Sequence, residues 1–456
     1  MRRLGTATFA FVVALTVPLT AQPIADQLRA AQQLAWQKRF QEAERAYRDI
    51  LMRNPHSRAA AVGLGQVLLW EQRFDEAAAV YRQLLRSNAN DGDARKGLAT
   101  AEYWSGDFRS ARRDYLALLQ QRPDDADARK AIADIDDSSA PLVTARTSLA
   151  SDDQPMHRTA GEVAYTAFSD PLTKWTTGVA AMHADAATFR SANVLSVALS
   201  GDSFSPRSHL RGGATIRLFR FPDGRAQPLG RVRVEHESLS FAIERAELLD
   251  TASSLLAHPH ATTATAAWTR TSRDASSFAA LHATRYFDGN HGAAADAYHL
   301  VPINSSFSAG VSAAYRNTDE SRFRLIGSSS TLMANDSFRY SYVARYEPYW
   351  TPRRLVESRA IVAATIHAGH ALLYLHADGG IARDRVSAFG PAFGTTPLPP
   401  LFAAPAEFGR TFHPWRLSAN ATFHATPQIE MTIGAEHQTT VFYSANAIRF
   451  ALTRRL

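Results

Sequence analysis

Apolar and small residues recur with two different periods along this chain, and the change between the periods falls near residue 140. In the first part, four kinds of side chain return every 34 residues. They are Trp36, Trp70 and Trp104; Phe40, Phe74 and Phe108; Ala43, Ala77 and Ala111; and Tyr47, Tyr81 and Tyr115. A period of this length predicts helix–turn–helix units that stack against their neighbours.

The spacing predicts three repeats, 24–57, 58–91 and 92–125, and a capping helix at 126–135, all within a helical domain at 22–139. The recurring alanines allow the two helices of a unit to approach closely, and the recurring tyrosines fill the space between units. Pro55 and Pro123 end two of the second helices, because proline cannot continue the hydrogen-bond ladder. Three units are close to the minimum for a stable stack.

The tryptophans stand at the end of each first helix, near the concave groove that stacked repeats form. The residues expected nearest this groove are Gln32, Trp36, Gln66, Trp70, Thr100 and Trp104. Two interpretations remain open for the tryptophans. They could form an aromatic ladder that binds a peptide or a sugar chain, or they could seal the core between the helices. The core interpretation is favoured, because large aromatic side chains usually stabilise a fold by burial.

After residue 140 the period becomes two. Around Phe307, one face carries Phe307, Ala309, Val311, Ala313 and Tyr315, and the other carries Ser306, Ser308, Gly310, Ser312 and Arg316. Similar segments recur, including one at 338–346, and the count predicts about sixteen strands in 140–456. Long alternating strands with charged residues on one face and aromatic residues near their ends, as at Tyr346, Tyr349 and Trp350, favour a transmembrane antiparallel β-barrel. An exported soluble β-sandwich is the alternative.

The polar face of these strands predicts the residues that line the barrel lumen. They are Arg211, Arg217, Arg231, Arg233, Glu235, Arg339 and Arg345, with Glu237 and Glu347 as further acids. Such residues could form a polar track for sugar hydroxyls or acids. The simpler interpretation, which is favoured, is that positions facing water in a lumen must be polar.

Two connections are longer than the others. The segment 244–258 predicts a short helix that begins at Asp250 or Thr251, and the strand count places it on the periplasmic side. Turns on that side are usually short, so either a strand is miscounted or the helix plugs the lumen. The segment 385–410, which is rich in proline, glycine and phenylalanine, is interpreted as an outer loop.

The N-terminus predicts export. Arg2 and Arg3 precede an apolar run that ends near Leu19, and Ala21 precedes the expected cleavage point, so residues 1–21 are interpreted as a signal peptide. The formal net charge of +7 does not indicate nucleic-acid binding, since residues 22–139 hold 18 basic and 18 acidic residues. The chain contains no cysteine, which excludes disulfides and thiol chemistry.

Catalytic motifs are not found in the sequence: it has no G-x-S-x-G elbow and no glycine-rich phosphate loop. His367 and His370 are three residues apart in a strand and turn, so they would not share a strand face. His258 and His260 flank Pro259 in a connection, where surface histidines are commoner than ligands. We therefore predict no enzyme activity, no metal site and no cofactor.

The order of signal peptide, tetratricopeptide (TPR) repeats and C-terminal barrel resembles bacterial exopolysaccharide export proteins, such as the outer-membrane cellulose-export subunit and the poly-N-acetylglucosamine exporter. The repeats are also similar to those of the YaiO-like outer-membrane barrel group. This resemblance implies an outer-membrane barrel with periplasmic repeats that bind a protein partner, and a role in exporting a polysaccharide. The alternative function is a non-conducting anchor for a periplasmic interaction scaffold.

Overall fold

The structure is a computed structural model that describes residues 24–152, 156–186, 189–249, 254, 258–321, 349, 351–387, 407–440 and 444–456. The predicted signal peptide, the strand predicted at 338–346, the girdle residues Tyr346 and Trp350, and Arg339, Arg345 and Glu347 lie outside these ranges. The chain divides into two compact units, Met1–Ala133 and Asp134–Leu456. Among the described residues, no helix is long and apolar enough to cross a membrane.

The first unit is built from helices whose ends follow the 34-residue period. The helices are α1 (Ile24–Trp36), α2 (Phe40–Arg53), α3 (Arg58–Trp70), α4 (Phe74–Ser87), α5 (Gly92–Trp104), α6 (Phe108–Gln121) and α7 (Ala126–Ser138). Ser57, Asp91 and Asp125 precede α3, α5 and α7, and each side chain accepts a hydrogen bond from a backbone N–H in the first turn. These caps repeat at the same interval as the core residues, so the period sets the helix boundaries as well as the packing.

The core of the helical unit holds the alanines and tyrosines of the period. Ala43, Ala77 and Ala111 are fully buried, and Tyr81 is 2% exposed. The Tyr81 ring lies between Gly65 of its own repeat and Gly97 of the next: a Cβ added at these glycines would lie 2.5 Å and 2.3 Å from Tyr81 Cζ. The predicted packing role of the recurring tyrosines is therefore observed, with glycine as the partner that makes room.

The second unit is a single antiparallel sheet. Its strands are β1 (Leu142–Asp152), β2 (Met156–Asp170), β3 (Thr173–Ala186), β4 (Phe189–Ser205), β5 (Leu210–Arg220), β6 (Ala226–His236), β7 (Leu239–Glu247), β8 (His260–Thr271), β9 (Ser276–Tyr286), β10 (His291–Pro302), β11 (Phe307–Thr318), β12 (Arg354–Ala368), β13 (Ala371–Ser387), β14 (Glu407–Phe412), β15 (Trp415–Thr426), β16 (Ile429–Thr439) and β17 (Ser444–Arg455). Each strand pairs with the next one in the chain, except that β15 pairs with β13 rather than with β14, and β1 pairs with β17.

This pairing closes the sheet into a barrel with sixteen strand positions. The strands β14 and β15 both pair with β13, β14 with its last residues and β15 with its first, so they form two halves of one interrupted strand. The strand β11 pairs directly with β12. The prediction of about sixteen strands in an antiparallel barrel is confirmed, and the alternative of a two-sheet sandwich is wrong.

The two ends of the barrel differ in their connections. We call the end at which β1 begins and β17 ends the proximal end, and the opposite one the distal end. The described turns at the proximal end contain two to four residues, whereas the distal end carries the connections 248–259, 319–353 and 388–406. Short turns at one end and long loops at the other are typical of outer-membrane barrels.

The placement of two predicted features is corrected. Residues 244–247 belong to β7. Because β1 starts at the proximal end and successive strands alternate in direction, the connection after the seventh strand lies at the distal end. Asp250 and Thr251, the predicted helix start, lie outside the described residues. Tyr349 is not part of an outer aromatic girdle: it is 1% exposed, stacks on Tyr286, and donates a hydrogen bond to Asp288.

Candidate functional site

The three tryptophans of the helical repeats lie on the surface. Their exposed fractions are 69% for Trp36, 45% for Trp70 and 63% for Trp104. Trp70 contacts the Phe40 ring at a centroid distance of 5.7 Å, and Trp104 contacts the Tyr103 ring at 5.4 Å. The interpretation that these side chains seal the core is therefore wrong, because the alanines and tyrosines fill that space. The three indoles are instead exposed at equal intervals of the repeat, and we call them the tryptophan face.

The polar residues predicted beside the tryptophans differ in their surroundings. Gln32 is exposed and Gln66 is half-buried. Thr100 is also half-buried, and its hydroxyl donates to the carbonyl of Lys96 at 2.8 Å and lies 3.2 Å from the hydroxyl of Tyr115. Its polar group is thus engaged within its own repeat, so Thr100 contributes less to the tryptophan face than the two glutamines.

A buried carboxyl that the sequence did not single out lies between the second and third repeats. Glu102 on α5 is 2% exposed and accepts a hydrogen bond from Arg82 on α4 at 2.9 Å. Among the described residues, its Oε2 atom has no hydrogen-bond partner. Burial, opposed by the Arg82 hydrogen bond and reinforced by nearby Asp114, raises the pKa of Glu102 to about 7.

This shift predicts a pH dependence of the helical stack. Because the folded state holds the Glu102 proton more tightly than the unfolded state, this group makes the stack more stable as the pH falls from about 8 to about 5. We expect a gain on the order of 2 kcal/mol, measured as the melting of the helical circular dichroism signal of the full chain at several pH values. Glu102→Gln should remove this part of the pH dependence, and an unchanged profile in that variant would contradict the assignment.

Along each strand of the barrel wall, apolar and charged side chains alternate, so they lie on opposite faces of the sheet. On β5 the exposed Ile216 and Leu218 alternate with Arg211 and Arg217, and on β6 the exposed Val232 and Val234 alternate with the set Arg231, Arg233 and Glu235. Arg233 reaches Asp202 on β4, which is separated from β6 by β5, so these charged side chains extend across the inner side of the wall. The five described members of the predicted lumen set therefore share the face of the wall opposite the exposed apolar residues.

Most of these inner charges are paired with one another. Asp202 accepts hydrogen bonds from Arg211 at 3.1 Å and from Arg233 at 2.6 Å, and Glu235 lies 3.1 Å from Arg233. Arg231 has Glu244 on β7 at 3.9 Å. The predicted arginines thus form ion-pair networks with carboxylates rather than a row of free cations, which agrees with the simpler interpretation that lumen positions are polar.

Arg217 is the member of the predicted set that lines an open space. Its guanidinium lies 5.7 Å from the Phe219 ring centre, and the side chain borders a cavity of about 480 Å³. Arg146 on β1 and Arg449 on β17 line the same cavity, together with Glu162 and Asn420. The cavity lining thus offers both hydrogen-bond donors and acceptors.

A second network lies on the opposite side of the lumen, at β12, β13 and β15. Asp378 is almost fully buried, and its carboxylate accepts hydrogen bonds from Arg359 at 2.5 Å, from Arg416 at 2.8 Å and from His376 at 2.8 Å. Asp384, whose side chain is fully buried, pairs with Arg410. These groups link neighbouring strands on the inner side of the wall.

The distal connection after β7 contacts the barrel wall. Leu249 packs against the cluster of Val194, Phe219, Phe221 and Leu229, and its carbonyl accepts a hydrogen bond from Arg158 on β2 at 3.0 Å. His258, near the other end of the same connection, stacks on Phe221 with ring centres 4.0 Å apart. The described residues of this connection therefore contact β2 and the ends of β4, β5 and β6 at the distal end of the barrel.

One arrangement in the lumen resembles a catalytic triad in its order of groups. Thr265 Oγ1 lies 3.0 Å from His282 Nδ1, and His282 Nε2 lies 3.1 Å from Asp296 Oδ2. The three residues lie on the adjacent, paired strands β8, β9 and β10. We interpret the row as a polar link across the strands. Within the described ranges, no cluster of His, Asp and Glu has the geometry of a metal site.

Comparison with known proteins identifies the helical part. The tetratricopeptide repeat family model matches residues 34–99 and 71–135, so the prediction of TPR repeats is confirmed. No curated protein sequence matches the chain.

Among solved structures, a bacterial polysaccharide outer membrane secretin is 10% identical, with a TM-score of 0.45, over 70% of this chain and 99% of the other. A tetratricopeptide repeat protein from Parabacteroides merdae is 22% identical, with a TM-score of 0.24, over 25% of this chain and 44% of the other. The first TPR domain of the human RPAP3 protein is 14% identical, with a TM-score of 0.24, over 24% of this chain and 87% of the other.

Proposed function

We propose that this chain is an outer-membrane protein that serves as a conduit or accessory for the export of a polymer such as an exopolysaccharide, with its TPR repeats in the periplasm. The observation that carries the proposal is a closed barrel with an apolar outer face and a charged inner face, joined to a repeat domain with an exposed tryptophan face. Sixteen strands enclose enough space for an aqueous channel. We propose no catalytic role.

The connections support this orientation. In outer-membrane barrels the short turns face the periplasm and the long loops face outward. Here the proximal end has the short turns, and the chain enters the barrel from the repeats at that end. Residues 1–21, proposed as a signal peptide, would direct export across the inner membrane.

The non-conducting anchor is the second candidate, and the position of Leu249 favours it. An apolar side chain that packs against inner residues of β4 and β5 narrows the lumen at the distal end. In this case the barrel would hold the TPR repeats at the membrane, and the charge networks of the wall would serve stability alone.

Single-channel conductance of the purified protein in a planar bilayer tests the two candidates. We expect the wild type to conduct ions, and a variant with a short Gly/Ser linker in place of residues 249–258 to conduct severalfold more, because the lumen widens. The same linker in place of the proximal turn 303–306 serves as the control and should leave the conductance unchanged. If neither the wild type nor the first variant conducts, the conduit fails and the anchored scaffold stands.

The tryptophan face predicts the binding of a periplasmic protein. Replacing Trp36, Trp70 and Trp104 by alanine should abolish cross-linking to that partner and change the stability by less than about 0.5 kcal/mol per site, because the side chains are exposed. The double variant Met52→Ala/Leu116→Ala is the matched control. Both side chains are apolar and exposed, but they lie on the second helix of a repeat, whereas each tryptophan ends a first helix. Equal cross-linking in all three proteins would remove the partner-binding role from this face.

A further inference from the structure

Outward-facing arginines are distributed unevenly between the two ends of the barrel. Those near the distal end are Arg220, Arg245, Arg285, Arg354, Arg383 and Arg385, and those near the proximal end are Arg270 and Arg454. Each lies an even number of residues from exposed apolar residues of its own strand and therefore on the same outer face. Arg354 is two residues from Val356, and Arg383 is two residues from Ile381. Positive charge is thus concentrated where the outer wall meets the distal membrane surface.

Three of these arginines form one compact group, which we call the arginine patch: Arg354 on β12, and Arg383 and Arg385 on β13. Arg354 and Arg385 are direct partners across the two strands, and Arg383 is opposite Val356. All three are exposed, and within the described part of the chain none of them has an ion pair. Like charges directly opposite each other destabilise a sheet unless a counter-charge lies between them.

An apolar groove of about 560 Å³ adjoins the patch on the outer face. Its floor consists of alanines on β9, β10 and β11, and its sides are bulky residues on β7, β8 and β12. The alanines are Ala279, Ala295, Ala297 and Ala313. Tyr315 and Val356 form the side next to the patch, and the Arg354 guanidinium lies 6.0 Å from the centre of the Tyr315 ring. The groove therefore leads to the guanidinium groups.

We propose that this surface binds one phosphorylated glycolipid of the outer leaflet, with its phosphates on Arg354, Arg383 and Arg385 and an acyl chain in the alanine-floored groove. The choice of occupant follows from charge and polarity. Guanidinium groups bind phosphate oxygens in a bidentate manner, and a groove lined by alanine, leucine and aromatic residues suits a hydrocarbon chain. A ligand that carries both an anionic head and an apolar chain fits both parts together. The inference rests on the proposed placement of the barrel in the outer membrane.

Native mass spectrometry of the full chain in non-ionic detergent tests the inference, with bis-phosphorylated lipid A as the probe. The wild type should retain one lipid molecule. Arg354→Gln/Arg383→Gln/Arg385→Gln should weaken binding by at least about tenfold, because the charged hydrogen bonds to the phosphates are lost. The matched control, Arg220→Gln/Arg270→Gln/Arg454→Gln, removes the same charge from elsewhere on the outer face and should bind as the wild type does.

Further measurements show whether the phosphates, the acyl chain or the sugar of the lipid is required for binding. Dephosphorylated lipid A should not be retained, and Ala297→Trp, which fills the groove, should release the phosphorylated form. Equal affinity for phosphatidylglycerol overturns the assignment to a glycolipid, and equal retention by the triple patch variant and the wild type overturns the site. Heat-modifiable migration confirms that each variant is folded, and Arg385→Gln alone replaces the triple variant if that one is not.

The bilayer conductance of the patch variant should equal that of the wild type. Loss of lipid binding with unchanged conductance therefore supports this site independently of the conduit. A wild type that binds the lipid without conducting would refute only the conduit.

Discussion

Gly97→Val should unfold the stack between the second and third repeats, at a cost of about 3 kcal/mol or more in the free energy of unfolding. A Cβ at Gly97 would lie 2.3 Å from Tyr81 Cζ, and the ring cannot move away because Gly65 lies against it on the other side. Tyr81 is 2% exposed, and its burial raises the pKa of the phenol above its ordinary value. Thermal melting followed by the helical circular dichroism signal measures the effect.

Gly92→Val is the matched control for this prediction. Gly92 opens the same helix, and a Cβ there would meet the end of the flexible Arg122 side chain rather than a buried ring. We expect a loss below about 1 kcal/mol for the control. Equal melting temperatures for Gly97→Val and the wild type would show that the tyrosine and glycine contact does not hold the repeats together.

The second large effect is expected in the barrel, where Asp378→Ala should lower stability on the order of 3 kcal/mol. The substitution leaves Arg359 and Arg416 close together without the carboxylate that both bond. Arg359 is 20% exposed, so water compensates for little of the loss at that side chain. The temperature at which the folded band disappears on a semi-native gel in detergent should fall by several degrees.

Glu430→Ala provides the comparison within the same barrel. Its carboxylate is 47% exposed and has His424 at 3.3 Å. An exposed pair of this kind contributes between about 0 and 1 kcal/mol, so the folded band should persist to the wild-type temperature. If Asp378→Ala is as heat-resistant as Glu430→Ala, the buried network contributes nothing to barrel stability.

The sequence allowed the helices and the barrel to be predicted because both depend on local periods. A 34-residue repeat requires that Ala43, Ala77 and Ala111 occupy equivalent positions, and alternation around Phe307 requires that neighbouring side chains face opposite sides of the wall. The same alternation predicted that Arg211 and Arg217 lie on the face opposite Ile216 and Leu218, and this alternation is observed. These expectations needed no knowledge of which strands are neighbours.

What could not be predicted depends on contacts between distant parts of the chain. The pairing of Asp202 with Arg233 spans three strands, and the approach of Leu249 to Arg158 joins residues far apart in sequence. The exposure of the tryptophans was misjudged because an aromatic residue at a helix end has the same pattern whether it is buried or on the surface. The predicted side of the long connection after β7 was wrong, because a miscount of one strand moves every later connection to the opposite end of the barrel.

The strand that closes the barrel, β17, is synthesised after every other strand of the sheet. Thr144 of β1 and Thr453 of β17 are 309 residues apart in sequence, and their hydroxyls lie 3.2 Å from each other. The TPR helices contact mainly their neighbours in the chain, so they can fold as they emerge. The barrel, by contrast, exposes an unpaired edge on β1 until its final strand arrives. A chain that lacks Ser444–Arg455 would therefore keep its repeat domain but leave the edges of β1 and β16 unpaired, and such open edges favour aggregation.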